Sequence, residues 1–501
     1  MPSHPFSECL DNQLAGDTYV YLYVGNLIPQ GLMPYRDAFD HKGPLLYLMM
    51  ALGIQIGNVA GVWILQTVLL FVSAVYAYKT SRLLVSRAAS ALAAALAVMW
   101  YSLGETGPDT FSVPFLLISL YAFVRYLLNG YRISDWETFL TGLCFGAVAL
   151  LKINLVSLWI VFVSVVIVVS IAKKEYLLLF RRTFLFLLGA AVVVVPIFYW
   201  LWSKGVFADF IECYWNFNLL HYGGMPRPSN YLMYVCPLFF QADMKTLVRW
   251  CFYFWFTAPA FLVYLILFLR EKTRVRKSLY ALMAVYLLTA VLLIGAKSRV
   301  FIYYCFPLTA AYLVFFAISF DFLLRLITKH ALVASALLLL LIVPVLRTLC
   351  PPVVGDWGKR HLIAKCCPDV DVEDLGIPIR FDRSALELAQ WLRENTEADA
   401  LINGIGFHVY WYAKRRCVSP YAILSVRKSY EHTFIRDEEG KFPEYIFLRR
   451  REDQRIGRLM DPRHRKETTL ESTPEIEKRL ADDYEKVYQN DAFDLYRLKE
   501  R

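Results

Sequence analysis

From Leu45 to Leu349 the chain is dominated by Leu, Val, Ile, Ala, Phe and Tyr, with charges gathered at intervals. No aqueous core can absorb so long an apolar run, so it constrains the chain to fold within lipid. A spanning helix needs about 20 mostly apolar residues. The spacing predicts spans near 62–79, 89–103, 111–128, 137–151, 154–172, 183–202, 250–269, 278–295, 300–320 and 331–349. That makes about ten spans. From Pro351 onward the composition becomes charge-rich and ordinary. The whole chain is only 19% charged, against about 25% in soluble proteins, and the deficit lies in the apolar run.

Lys and Arg set the orientation. Lys79, Arg82 and Arg87, then Arg125 and Arg132, then Lys173, Lys174, Arg181 and Arg182, then Arg270 to Lys277, then Arg325 and Lys329 fall in one set of loops. The positive-inside rule puts that set in the cytoplasm. Loop 203–249 and the C-terminal part then lie outside. The segment 45–58 is apolar but short, and it carries Gly53, Gln55, Gly57 and Asn58. Parity of the spans makes it a juxtamembrane helix on the outer face. Residues 1–44 are then also outside, with no signal peptide, which leads us to expect a preceding span that this chain lacks.

The net charge of +10 is accounted for by these topology-setting loops, so no nucleic acid is expected as a partner. The ten cysteines have no metal-ligand spacing, and no disulfide pairing can be read from them.

Chemistry concentrates before the first span. The stretch GDTYVYLYVGNLIPQGLMPYRDAFDHKGPLLY, Gly16 to Tyr47, mixes Asp17, Arg36, Asp37, Asp40, His41 and Lys42 with Tyr19, Tyr21, Tyr23 and Tyr35. Helical spacing puts Asp17 and Tyr21 on one face. A carboxylate at a membrane surface can take a proton from an acceptor, and a lysine can hold phosphate as a point charge. A solvated loop of self-paired charges is the competing reading. Asp109, in the outer loop after Glu105, offers a second carboxylate or simply a helix N-cap. Lys297 and Arg299, followed by Tyr303 and Tyr304, read as an anion site at the lipid interface or as snorkelling cations. Lys152 and Asn154 read as a loop pair. The loop 203–249, with Tyr214, Trp215, Asn216, Asn218 and His221, has the makeup of a lid facing carbohydrate or lipid.

The segment Tyr35-Arg36-Asp37-Ala38-Phe39-Asp40-His41-Lys42-Gly43-Pro44-Leu45 resembles the first outer loop of the GT-C glycosyltransferases. It is most similar to the bacterial branch of protein O-mannosyltransferases and lipid A aminoarabinose transferases. The resemblance implies a helical membrane bundle followed by a small α/β extracytoplasmic domain. The implied boundaries are a catalytic loop at 1–44, a membrane domain at 45–349 and a soluble domain at 350–501. The implied reaction moves a sugar from a polyprenyl-phosphate donor to a cell-envelope acceptor, with inversion, on the outer face of a bacterial inner or plasma membrane.

Residue by residue, Asp17 takes the catalytic position and Lys42 that of the donor-phosphate lysine. Lys297 and Arg299 take the place of a second cationic pair. Asp109 resembles a second acidic position. Tyr21, Asp37, His41, Tyr303 and Tyr304 complete the substrate-binding candidates. The chain departs from the family in Lys42-Gly43-Pro44, where Lys-Pro-Pro is usual, and in Asp17-Thr18, where Asp-Glu is frequent. One carboxylate is a poor site for a hard cation. No cofactor is therefore expected, a divalent metal remaining open. The rival readings are a transporter or flippase, which should carry polar groups at mid-membrane, and a polymerase or ligase of lipid-linked saccharides.

In the C-terminal part, 380–396 and 474–490 have helical spacing. Ala400–Asn403, Tyr445–Leu448 and Phe493–Leu498 read as strands, and a helix starts after Gly404-Ile-Gly406. That alternation predicts a small α/β domain.

Overall fold

The computed structural model describes residues 16–102, 106–221, 263–295, 308–327, 380–404, 406–420, 443–449 and 474–499. The expected spans at 331–349 and most of 250–269 lie outside these residues.

Helix α1 is Gly16–Leu27, followed by a 3-10 turn, Ile28–Gln30. Gly31 closes that turn at φ +81°, a left-handed conformation that glycine adopts without strain. Residues 32–43 form an irregular loop that leads into α2, Pro44–Arg82. The bundle continues through α3 (Arg87–Ser102), α4 (Pro108–Leu128), α5 (Asp135–Leu151), α6 (Ser157–Ala172) and α7 (Tyr176–Ser203). A short α8, Phe207–Phe210, runs directly into a π-helix, Ile211–His221. Helices α9 (Arg274–Gly295) and α10 (Leu308–Ile327) follow. Among the described residues, Pro44–Arg82, Pro108–Leu128, Tyr176–Ser203 and Arg274–Ile294 are long and apolar enough to cross a membrane.

The helices refine the expected spans. Helix α2 is broken at Gly57 and Asn58, whose backbone leaves the helical region. The break is a sharp fold-back: a β-carbon on Gly61 would overlap the Gly53 carbonyl oxygen, and one on Gly53 would overlap Val62. In a straight helix residues 53 and 61 would be about 12 Å apart. The segment before the break is therefore a separate short helix, ending where the sequence predicts. Helix α7 starts at Tyr176 rather than near 183 because its basic residues are paired. Arg181 bonds Asp135, and Arg182 is buried over the Tyr126 ring. The helix expected from residue 300 begins, within the described residues, at Leu308. Loop 203–249 is helical as far as His221.

Helices α5 and α7 pack at very short range. β-Carbons on Gly142 and Gly189 would overlap the carbonyls of Phe186 and Phe139, and Gly146 faces Ala190. Small residues at such a seam let two helices meet where lipid gives no hydrophobic drive for association. Outward-facing Phe180, Phe184, Leu188, Val192, Val195 and Tyr199 leave the other side of α7 apolar and exposed.

The C-terminal part comprises α11 (Arg380–Asn395), β1 (Ile402–Gly404), α12 (Phe407–Ala413), β2 (Tyr445–Arg449), α13 (Pro474–Asp483), β3 (Tyr484–Gln489) and β4 (Phe493–Leu498). Its strands form one sheet in the order β1-β2-β4-β3, with β1 and β2 parallel and the other pairs antiparallel. The helix expected over 474–490 stops at Asp483. Tyr484–Gln489 pairs with β4 instead, and Asn490 closes the hairpin by accepting from the amides of Ala492 and Phe493 at 3.1 and 2.9 Å. Tyr484 is drawn out of the helix by a tertiary bond, its hydroxyl donating to Pro443 O at 2.7 Å.

This domain grips α1. Tyr19 packs against His408 and Tyr412 of α12, and its hydroxyl bonds that of Tyr412. Tyr23 packs on Phe407 and Tyr410, and its hydroxyl accepts from Cys417 N at 3.0 Å.

Gly189→Leu should force α5 and α7 apart and lower stability by about 1–3 kcal/mol. Val192→Leu, on the exposed side, should be neutral. Thermal unfolding in detergent checks both.

Candidate active site

Three segments arrive at one end of the bundle: α1 with Asp17, the loop before α2 with Asp40, His41 and Lys42, and the start of α4 with Asp109. The turn after α5 adds Lys152. The opposite end carries Lys79 at the end of α2 and the Arg125–Glu137 pair at 2.6 Å.

Asp17 and Tyr21 share a face of α1 as the spacing requires, with Tyr21 Oη 3.4 Å from Asp17 Oδ2. Lys42 Nζ lies 5.9 Å from the centre of the same Tyr21 ring. Tyr21 thus approaches both the candidate base and the candidate phosphate cation. Thr18, next to Asp17, donates to Thr106 O at 3.2 Å, and Thr106 donates to Gln66 Oε1 at 2.7 Å. These bonds tie α1 to α2 and to the entrance of α4.

Lys42 is only 6% exposed, which is costly for a cation unless it is paired. Its Nζ lies 2.8 Å from His41 Nε2, and its carbonyl accepts from Tyr35 Oη at 2.9 Å. Asp40, also buried, accepts from the His41 amide at 2.7 Å and from Tyr47 Oη at 2.6 Å. His41 Nδ1 is 3.3 Å from Asp40 Oδ1. Burial pushes the Asp40 carboxyl above its usual range, while the charge on Lys42 pulls it back.

Gly43 explains why Lys-Pro-Pro is absent. Its amide donates to Leu151 O at 3.1 Å, a bond proline cannot make. A β-carbon here would overlap the Leu150 carbonyl. The loop is therefore pinned to the end of α5, one residue from Lys152.

Asp109 is 4% exposed, and both of its oxygens accept from Lys152 Nζ at 2.8 Å. Burial depresses Lys152, Asp109 opposes that shift, and Lys42 adds to it. The two lysines are thus within electrostatic reach of each other, and Asp17 is within reach of both pairs. Lys152 accordingly lies with the candidate residues, bonded to Asp109 and not paired with Asn154. It stands at the same end of its span as the acidic residues, a positional signal that the sequence did contain.

The π-helix buttresses both loops. Tyr214 Oη donates to Ala149 O at 2.5 Å and accepts from Ile153 N at 2.9 Å, straddling Lys152. Asn218 donates to His41 O at 2.7 Å, and Phe217 packs against His41 and Phe39. π-Helical turns are rare and frequent at functional sites.

The structure thus brings together Asp17, Tyr21, His41, Lys42 and Asp109. It uses Asp37 elsewhere: Asp37 accepts from Met33 N at 2.6 Å and lies 3.8 Å from Arg36, closing a turn. Lys297, Arg299, Tyr303 and Tyr304 lie outside the described residues. Among the described residues, no three His, Cys, Asp or Glu side chains are placed to hold a metal ion.

Asp109→Asn leaves the Lys152 ammonium buried without its counter-charge, and should cost about 3–5 kcal/mol of stability. Replacing both residues with apolar side chains of similar volume should recover much of it. Unfolding of the two single variants and the double variant checks this, and strict additivity would show the pair to be uncoupled.

Solved structures share this fold. ArnT from Cupriavidus metallidurans in the apo state aligns over 96% of this chain and 93% of its own, with a TM-score of 0.59 and 11% identity. The same protein bound to undecaprenyl phosphate aligns over the same shares, with a TM-score of 0.55 and 12% identity. An Archaeoglobus fulgidus oligosaccharyltransferase, in complex with Zn and sulfate, is more distant: TM-score 0.46, 15% identity, 87% of this chain and 64% of that one. The architecture is therefore the GT-C fold expected from the sequence. No curated protein sequence matches the chain. A family model does match, that of the competence-induced protein Ccs4 N-terminal domain, over residues 7–330. The chain belongs to the competence-induced protein Ccs4 N-terminal domain family.

Proposed function

We propose that the protein is a glycosyltransferase that moves a sugar from a polyprenyl-phosphate carrier to a cell-envelope acceptor at the outer face of the membrane. The observation that carries this reading is that Asp17 and the buried Lys42 both approach Tyr21. They meet in a fold that, in ArnT, has been crystallised with undecaprenyl phosphate.

Asp17 is the more accessible member of the pair, half-buried where Lys42 is buried. That suits a base that must reach an incoming acceptor. In the proposed step the acceptor oxygen attacks the anomeric carbon and gives its proton to Asp17. The bond between that carbon and the phosphate oxygen breaks, and the polyprenyl phosphate leaves with the electron pair. Lys42 stabilises the charge that develops there, as a preorganised cation does. A single displacement of this kind inverts the anomeric centre. The Asp109–Lys152 pair, bonded through both carboxylate oxygens, is the fixed wall beside Lys42.

Sidedness follows from the basic loops. The site end of the bundle is opposite Lys79 and Arg125, which the positive-inside rule places in the cytoplasm. The domain that grips α1 then lies on the outer side, with the site.

Asp17→Asn should abolish transfer from a polyprenyl-phosphate sugar, a loss of at least about 10²-fold, with the unfolding temperature unchanged. Near-normal turnover by that variant would sink the assignment. Lys42→Ala should chiefly weaken use of the donor, read as the dependence of rate on donor concentration.

A further inference from the structure

His41 occupies the one position that touches both Asp40 and Lys42. Its Nε2 is 2.8 Å from Lys42 Nζ, and its Nδ1 is 3.3 Å from Asp40 Oδ1. A lysine ammonium only donates hydrogen bonds. The Nε2 atom it meets must therefore carry a lone pair, which puts the ring proton on Nδ1, within ion-pair range of Asp40 but not hydrogen-bonded to it. The ring is held from outside the loop as well, by Phe217 at 5.7 Å between centroids and through the Asn218 bond to the His41 carbonyl. Three consecutive residues thus form a line, Asp40 to His41 to Lys42, ending at the candidate donor phosphate.

We propose that His41 is a second phosphate-binding group beside Lys42 whose protonation sets the charge of the donor-phosphate site, so that binding of a phosphate anion takes up a proton at His41; this rests on the reading of Lys42 as the donor-phosphate cation.

With His41 neutral, the negative Asp40 balances the positive Lys42 and the loop carries no net charge. A proton on His41 makes the loop cationic. In the empty site that second proton is disfavoured, because it places two donors face to face 2.8 Å apart. A phosphate between them removes the conflict, since both nitrogens can then donate to it. An anion that favours the protonated ring is, by linkage, bound more tightly when the ring is protonated. An imidazole ordinarily titrates near pH 6.5, so the effect falls between about pH 8 and 5.5.

The other groups around this line are Asp17 and Tyr21 from α1, Asp109 from α4 and Lys152 from the turn after α5. Tyr47 bonds Asp40, Tyr35 bonds the Lys42 carbonyl, and the π-helix contributes Phe217 and Asn218, which do not titrate. Asp109 and Lys152 are bonded to each other at 2.8 Å. Asp40, whose carboxyl burial pushes up, can also take up a proton, so the His41 contribution is isolated by substitution.

The test uses the full chain in detergent and a polyprenyl methyl phosphodiester, whose charge stays at −1 across this range. The wild type should bind it about five- to tenfold more tightly at pH 5.5 than at pH 8. His41→Gln, whose amide oxygen can still accept from Lys42, should lose the pH dependence. Binding to the wild type that is flat with pH overturns the inference and leaves the donor reading standing. A pH slope retained in His41→Gln also overturns it, by putting the proton on a carboxylate. No binding at any pH overturns the donor reading and the anion linkage together. The ligand-free protein gives an independent measure by ¹⁵N NMR of labelled histidines. The resonance lost in His41→Gln should show the Nδ1–H tautomer at neutral pH and move in Lys42→Met. An Nε2–H tautomer overturns the relay whatever the donor proves to be.

Discussion

A buried ammonium group organises this end of the molecule. Lys42 sits at the mouth of an apolar bundle, where an uncompensated charge would cost several kcal/mol. Compensation comes from close by and in order. His41 accepts from the ammonium, Asp40 stands behind His41, and Tyr47 reaches from α2 to complete Asp40. The backbone is fixed independently, since Gly43 bonds the end of α5 and Tyr35 caps the Lys42 carbonyl. Lys42 is thus held through its side chain and through its backbone at once.

The same requirement explains why distant parts of the chain converge here. Tyr214 and Asn218 of the π-helix brace the Lys152 turn and the His41 loop at once. Helix α1, only twelve residues long, would not hold its shape alone in water. The C-terminal domain stabilises it by burying Tyr19 and Tyr23 against α12, while Asp17 and Tyr21 keep the other face. The C-terminal domain therefore helps hold the helix that carries Asp17, and a change in α12 would be felt there through the two tyrosines.

Much of this could be read from residues alone. Hydropathy located the helices because spanning length is a property of consecutive residues. The short first segment of α2 followed from Gly57, Asn58 and the parity of basic loops. The Asp17–Tyr21 face followed from helical period. What failed did so for tertiary reasons. Residues 484–490 have good helical spacing, yet Tyr484 and the Asn490 turn commit them to a hairpin. Lys152 looked like a turn residue because Asp109, its partner, is far away in the chain. The spacing of Arg181 and Arg182 argued for a later start to α7, and only their partners allow an earlier one.

The sequence by itself determined that the chain is a helical membrane bundle with a small α/β domain, and which loop gathers the candidate site residues. Those properties depend on local composition and period, which folding does not alter. Only the tertiary structure decided which charges pair. Lys42 is balanced through His41 and Asp40, Asp109 takes Lys152, and Gly43 stands where proline is usual because the α5 backbone leaves no room for a side chain. Pairing of buried charges is a matter of distance in space and of excluded water, and neither is written in the order of residues.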